Sequence, residues 1–276
     1  PRYESLFALE QTGCTRSHLA IDHGALPGAS GAPSPGASAT PSSAAGDRLV
    51  VVHVVPPTVT RDPGFIPLFT ARASALLGTS HPNLVRTLDF VADAQRCQWV
   101  SEFIQGHTLA SLLAKKRGEE RALTLRQHLT ILCEVLRGLE HAHRLVDAQG
   151  VPSPIVHRHL SPSSVLVSYE GHVKVTDGVL CAVPAVTAGR FEGDAERLAY
   201  QAPECCMGGA SDPRSDIFAV GALLWEAVCG RSRPVGATLD QAREMCARAA
   251  APDFEGAAVT ISPTLIAITR RALAKD

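Results

Sequence analysis

The 276-residue chain is 45% hydrophobic, which is enough to bury a substantial core in one large domain or two lobes. Its 26 basic and 27 acidic residues nearly cancel, so charge gives no reason to expect nucleic acid or an anionic membrane as a partner. The longest apolar run, residues 217–230, is interrupted by Glu226 and is shorter than the roughly 18 residues that a membrane span needs.

The cysteine pattern favours a reducing compartment. Eight cysteines show no CxxC spacing, and the neighbours Cys205 and Cys206 are poorly placed to begin a structural disulfide. We expect them to be reduced and small, buried hydrophobes. Closely spaced histidines lack a matching Cys or carboxylate cluster, so no metal site is predicted. The expected location is cytoplasmic, with a membrane anchor outside these residues left open.

The first third of the chain is predicted to be rich in strands. Its β-branched segments predict strands at 17–23, 48–55, 85–92 and 97–104, with a helix at 64–79. Residues 27–46 consist largely of Pro, Gly, Ala and Ser, and this composition predicts a disordered loop.

From residue 107 the pattern becomes helical. Apolar residues recur at three- and four-residue steps from Leu125 to His143, which predicts one long amphipathic helix. The further predicted elements are a hairpin of 165–168 and 173–176 and helices at 213–230 and 262–275. A strand-rich third joined to a helix-rich remainder predicts an α+β chain with an N-terminal lobe at 1–104 and a C-terminal lobe at 105–276, truncated before the end of its domain.

Five motifs occur in an order that resembles the serine/threonine protein kinases. They are HPNLV (81–85), SEFIQG (101–106), IVHRHLSPSSVLV continuing to VKVTDGVL (155–180), AYQAPE (199–204) and SDIFAVGALLWEAVCG (215–230). The resemblance implies a bilobal protein kinase-like fold, with a small antiparallel sheet lobe carrying one helix and a larger, mainly helical lobe. It also implies a hinge at Ser101, Glu102, Phe103 and Ile104.

The nucleotide-binding positions that the resemblance assigns depart from the family pattern. Glu10, Thr12 and Thr15 occupy the places of the three glycines whose backbone would approach the phosphates. His53 occupies the place of the lysine and Arg72 that of its glutamate partner, so a histidine faces a cation. These changes have two explanations: the residues have drifted because the pocket is no longer used, or they serve a new binding role.

The catalytic loop departs from the pattern as well. His159 occupies the place of the aspartate that accepts the substrate proton, and histidine is itself a general base near neutral pH. Ser161 replaces the lysine, and Ser164 replaces the asparagine that binds magnesium.

The metal-binding triplet reads Asp177, Gly178 and Val179, in which only the aspartate matches the family. We expect its carboxylate to pair with Arg72 or His53 in the cleft, or else to be solvated. Positions that support the fold are retained at Arg158, Glu204 and Asp216.

These departures predict a catalytically inactive kinase-like domain, a pseudokinase, which acts in signalling as a scaffold or allosteric regulator with a degenerate ATP-binding site. Its expected partner is a protein, either an active kinase or another domain of the same polypeptide, and no cofactor is expected. The alternatives are a weak or atypical phosphotransferase using ATP with or without magnesium, and a small-ligand sensor that uses the interlobe cleft.

Overall fold

The computed structural model describes residues 2–11, 15–24, 47–61, 63–93, 96–115, 123–146, 150–176, 198–206, 209, 211–234, 236, 238–248, 253–254 and 262–274. The chain divides into two compact units. Unit 1 comprises Pro1–Ser80 and Arg86–Phe103, and unit 2 comprises His81–Val85 and Ile104–Asp276. The predicted loop at 27–46 lies outside the described residues.

Unit 1 contains a five-stranded antiparallel sheet of order β1-β2-β3-β5-β4. Its strands are β1 (Tyr3–Gln11), β2 (Arg16–Asp22), β3 (Arg48–Val54), β4 (Thr87–Ala92) and β5 (Cys97–Glu102). Its helices are α1 (Pro57–Thr60) and α2 (Phe65–Leu77). Phe69 of α2 lies against the sheet, with ring centroids 6.3 Å from Phe90 and 6.2 Å from Trp99.

Unit 2 combines a small three-stranded sheet with helices. The strands are β6 (Gly106–Thr108), β7 (Val165–Ser168) and β8 (Val173–Val175). The helices are α3 (Leu109–Lys115), α4 (Leu125–His143), α5 (Pro203–Cys206), α6 (Pro213–Cys229), α7 (Leu239–Arg248) and α8 (Pro263–Ala272), with a short 3-10 helix at Pro162–Ser164.

The core of unit 2 lies between α4 and α6. Thr124 and Gln127 form a reciprocal capping box that begins α4, whose apolar stripe buries Val135 and Leu139. Helix α6 is buried along nearly its whole length and ends at Gly230, whose φ of 68° suits glycine. No helix in the described part of the chain is long and apolar enough to cross a membrane.

The predicted fold class, α+β with a small antiparallel sheet lobe and a larger helical lobe, is confirmed. Unit 1 has a short second helix, α1, because Pro57 at its first turn fixes a helical φ. The expectation that the cysteines are all reduced is wrong: Cys206 and Cys246 form a disulfide across 40 residues. Their pairing depends on the tertiary contact between α5 and α7, which sequence spacing does not contain.

Candidate functional site

His53 lies in unit 1 at the centre of a buried polar network. Its ring is stacked on Trp99 of the neighbouring strand, with centroids 4.3 Å apart. Nδ1 lies 2.9 Å from the Ser17 hydroxyl, and Nε2 lies 3.0 Å from the Ser101 hydroxyl. A hydroxyl can donate to one ring nitrogen and accept from the other, so a neutral His53 is satisfied at both. The position assigned to the family lysine is therefore occupied by a ring whose nitrogens are already engaged.

The other positions predicted for the nucleotide site and the hinge are in part described by the structure. Glu10 belongs to β1, Thr15 is buried just before β2, and Thr12 is outside the described residues. In the predicted hinge, Glu102 exchanges backbone and side-chain hydrogen bonds with Arg86. Arg72 lies on α2 and is partly buried. Phe103 ends unit 1 and Ile104 resumes unit 2.

Asp216, in the first turn of α6, organises the loop that contains His159. Its Oδ2 accepts the backbone N–H of His157 at 2.8 Å, and its Oδ1 accepts that of Arg158 at 2.7 Å. Arg158 has a φ of 68°, a left-handed conformation that costs a non-glycine residue of order 1 kcal/mol or more. The two hydrogen bonds that Asp216 accepts stabilise that backbone shape.

Two histidines fix the loop further. His143 places its Nε2 2.7 Å from Asp216 Oδ2, and His157 donates from Nε2 to the carbonyl of Thr176 at 2.7 Å. His159 lies two residues after His157, and its N–H donates to the His157 carbonyl at 2.9 Å. The structure therefore presents His159 at the end of a loop whose backbone is held by α6.

Ser161 and Ser164 serve the loop itself. Both are buried, and Ser164 donates its N–H to the Ser161 carbonyl at 3.0 Å and its hydroxyl to the His159 carbonyl at 3.3 Å. Magnesium prefers carboxylate and phosphate oxygens, so a buried serine committed to a carbonyl does not fit the ion. The described residues also contain no group of three His, Cys, Asp or Glu side chains arranged to hold a metal. Asp177, Gly178 and Val179 lie outside the described residues, as does the predicted pairing of Asp177.

The segment that ends at Glu204 is joined to α6 in two places. Glu204 Oε1 accepts the Ser215 hydroxyl at 3.1 Å, and the Tyr200 hydroxyl donates to Glu226 Oε2 at 2.9 Å. Burial raises the pKa of the Glu226 carboxyl, although its hydrogen bonds from Arg233 N–H and Tyr200 oppose that shift. Glu226 also borders a cavity of about 440 Å³ in unit 2.

Sequence reasoning missed four of these residues: His143, His157, Tyr200 and Glu226. His143 was assigned to the apolar stripe of α4, and a histidine at the last position of that stripe is the signal that could have found it. Glu226 interrupts the otherwise apolar α6, and an isolated carboxylate in a buried helix indicates a partnered group.

An antiparallel sheet unit, a helical unit and an aspartate-braced loop before His159 define the protein kinase fold. The chain belongs to the protein kinase domain family, whose family model matches residues 70–275. The crystal structure of the Mycobacterium tuberculosis PknI kinase domain shares the fold, with a TM-score of 0.68, 18% identity and coverage of 99% of this chain and 88% of that one.

The curated relatives include one kinase named for tyrosine and others named for serine and threonine. Tyrosine-protein kinase MasK of Myxococcus xanthus is 32% identical over 184 residues, or 66% of this chain and 28% of that protein. Serine/threonine-protein kinase PknA of Mycobacterium tuberculosis is 33% identical over 193 residues, or 67% and 41%. Serine/threonine-protein kinase PrkC of Bacillus subtilis is 28% identical over 186 residues, or 67% and 27%. The chain thus spans about a quarter to two fifths of the length of these relatives.

These relatives overturn one prediction. The expectation that the chain is not an enzyme is wrong, because its relatives are named as protein kinases and the kinase family model covers the loop that contains His159. That expectation treated each changed side chain as a loss of catalytic activity, and no independent observation indicated inactivity.

Proposed function

We propose that the chain is an atypical protein kinase, which transfers a phosphoryl group from ATP to a hydroxyl of a protein substrate. The names of its relatives support this reaction class. The observation that carries the proposal is the brace from Asp216 to the backbone of His157 and Arg158, because it holds the loop immediately before the proton-acceptor position.

His159 is the proposed general base. An imidazole is neutral over a useful fraction of molecules near pH 7, so it can accept the proton that the substrate hydroxyl loses as the new bond to phosphorus forms. His159 is partly buried, and its backbone position is fixed by the His157 carbonyl. Because Ser164 does not fit magnesium, no step of the phosphoryl transfer is assigned to a metal held at that residue.

The test is transfer of radiolabelled phosphate from ATP to a generic protein substrate, with and without magnesium. His159→Ala should lower incorporation by about 10²-fold, the usual contribution of a general base, whereas His159→Asp should retain activity. His172→Ala is the matched control, because His172 is an exposed histidine of the β7–β8 hairpin with 71% side-chain exposure. Incorporation that is absent from wild type, or equal in wild type and His159→Ala, would refute the proposed role.

A second candidate function is regulation of a protein partner, either an active kinase or another domain of the same polypeptide. The network around His53 favours it, since Ser17 and Ser101 occupy the nitrogens that would otherwise face a ligand. Partner regulation predicts that the purified chain changes the activity of an added kinase at equal concentration. The phosphate-transfer assay separates the two functions, because regulation by binding survives His159→Ala.

A further inference from the structure

The disulfide between Cys206 and Cys246 joins two surface elements of unit 2. Cys206 ends α5, the short helix that begins at Pro203 and Glu204, and Cys246 lies in α7. We propose that this disulfide is a redox switch: a dithiol reductant opens it and releases α7 from α5.

Helix α7 depends on this attachment. Among the described elements, α5 is the only one against which α7 packs closely. Its described buried side chains are Ala242 and Cys246, and five of its ten residues are charged or Gln, while Met245 is 42% exposed. The Arg248–Glu244 ion pair joins two residues of the same helix. A helix of 10 residues is marginal by itself in water, so α7 depends on tertiary contacts, and its contact with α5 is extensive.

Gln201 places an oxygen that can accept a hydrogen bond beside each of the two sulfurs. Cys246 Sγ lies 3.2 Å from the Gln201 backbone carbonyl, and Cys206 Sγ lies 3.5 Å from Gln201 Oε1. A disulfide has no hydrogen to donate, so these contacts become hydrogen bonds only when each sulfur bears a proton. Gln201 itself is buried at 8% exposure. When reduction separates the two sulfurs, each has a Gln201 oxygen close by to which a thiol can donate.

The two sulfurs also differ in access. Cys206 is partly exposed, whereas Cys246 is buried at 8% exposure. A thiolate of the dithiol reductant attacks Cys206 Sγ, the bond between the two cysteines breaks, and Cys246 leaves as a thiolate and takes a proton. The second thiol of the reductant then displaces Cys206 and closes the reductant's own disulfide, so two electrons pass from the reductant to the chain.

The switch acts two residues after Glu204, which accepts the Ser215 hydroxyl; the next residue, Asp216, braces the loop before His159. This consequence rests on the proposed function. Reduction should therefore change phosphate incorporation into a protein substrate by about threefold or more, since α7 and α5 would no longer be held together.

The direct test does not depend on activity. The full chain is oxidised with oxidised glutathione or reduced with dithiothreitol, and its thiols are counted by differential alkylation and mass spectrometry. Hydrogen exchange is then measured for 239–248. We expect Cys206 and Cys246 to be protected from alkylation only after oxidation, and the α7 amides to exchange about tenfold faster after reduction. Equal exchange in the two states, or alkylation of both cysteines after oxidation, would overturn the proposal.

Variants sharpen the result. In Cys246→Ser the α7 amides should exchange at the rate of the reduced protein under both conditions. Cys133→Ser, which removes an exposed cysteine of α4, should show the wild-type exchange rates. Gln201→Leu removes one acceptor and should lower the reduced fraction at a fixed glutathione ratio by roughly threefold. An unchanged fraction would show that Gln201 does not support the dithiol and would overturn its assigned part. If no phosphate is transferred in either state, the proposed function fails, while the exchange rates still decide the switch.

Discussion

His143 Nε2 lies 2.7 Å from Asp216 Oδ2, so the last residue of α4 is bonded to the first turn of α6. Their side chains are 12% and 1% exposed, which makes this a contact inside the core of unit 2. Because a carboxylate only accepts, the hydrogen lies on Nε2. The same aspartate also accepts two backbone N–H groups, and this one side chain thus joins two helices to the loop before His159.

Asp216→Ala should lower the free energy of unfolding by roughly 1–3 kcal/mol, because three buried donors lose their acceptor. Chemical denaturation is the measurement. Asp240→Ala is the control, since Asp240 is 95% exposed and its removal should change stability by less than about 0.5 kcal/mol. Equal midpoints for Asp216→Ala and wild type would contradict the structural role of Asp216.

Gly138→Ala should destabilise unit 2, although alanine favours helices. A Cβ at Gly138 of α4 would lie 2.7 Å from the Asn83 carbonyl oxygen, which is part of the backbone and has no room to retreat. The overlap should outweigh the roughly 1 kcal/mol gain in helix propensity and leave a net loss of about 1–3 kcal/mol. Gly78→Ala is the matched control, because a Cβ there meets nothing within 4 Å. A stabilised Gly138→Ala would show that the contact is looser than the structure places it.

His53→Phe should cost roughly 1–3 kcal/mol, because the buried Ser101 hydroxyl and that of Ser17 lose a partner while the stack on Trp99 is kept. Adding Ser17→Ala and Ser101→Ala should recover much of that loss, since no hydroxyl is then left without a partner. Thermal melting of the single and triple variants makes the comparison. A triple variant that is less stable than His53→Phe would mean that the hydroxyls are held by other groups.

Glu226 should make stability depend on pH. Burial raises its pKa above the ordinary 4.5, so the folded state binds this proton more tightly than the unfolded chain does. The contribution of the carboxyl to stability is therefore fully present below the unfolded value and is lost as the pH rises through the folded value.

Glu226→Gln stays neutral and should gain stability relative to wild type as the pH rises above the ordinary carboxyl pKa of 4.5 toward the raised folded-state value. Melting temperatures of the two proteins across this range are the measurement. Glu170→Gln, at an 82% exposed position, should show no such trend. A constant difference between Glu226→Gln and wild type would mean that the carboxyl titrates alike in both states.

The helices that form the core of unit 2 could be predicted because their own sequences contain the signal. The stripe of α4 repeats every three or four residues, and α6 is apolar, begins after Asp212 and ends at Gly230. The retained Asp216 was likewise assigned from its motif as a position that supports the fold, and in the structure it accepts hydrogen bonds from the loop before His159.

Elements held by contacts far along the chain could not be predicted. Strand β6 has only three residues and is held by pairing with β7, while α7 is polar and rests on α5. The network around His53 was missed for the same reason, because Ser17 and Ser101 come from strands on either side of β3. The sequence showed that His53 occupies the position of the family lysine. It did not show which groups would bind the two ring nitrogens of His53.

The bond between Cys206 and Cys246 also acts on the unfolded chain. It closes a loop of about 40 residues that contains all of α6, and such a closure removes conformational entropy worth about 4 kcal/mol from the unfolded ensemble. The oxidised chain has fewer ways to be unfolded, so α6 and the loop that it braces should withstand heat or denaturant better than in the reduced chain. Through this effect, a covalent bond between α5 and α7 influences how readily the buried helix α6 unfolds.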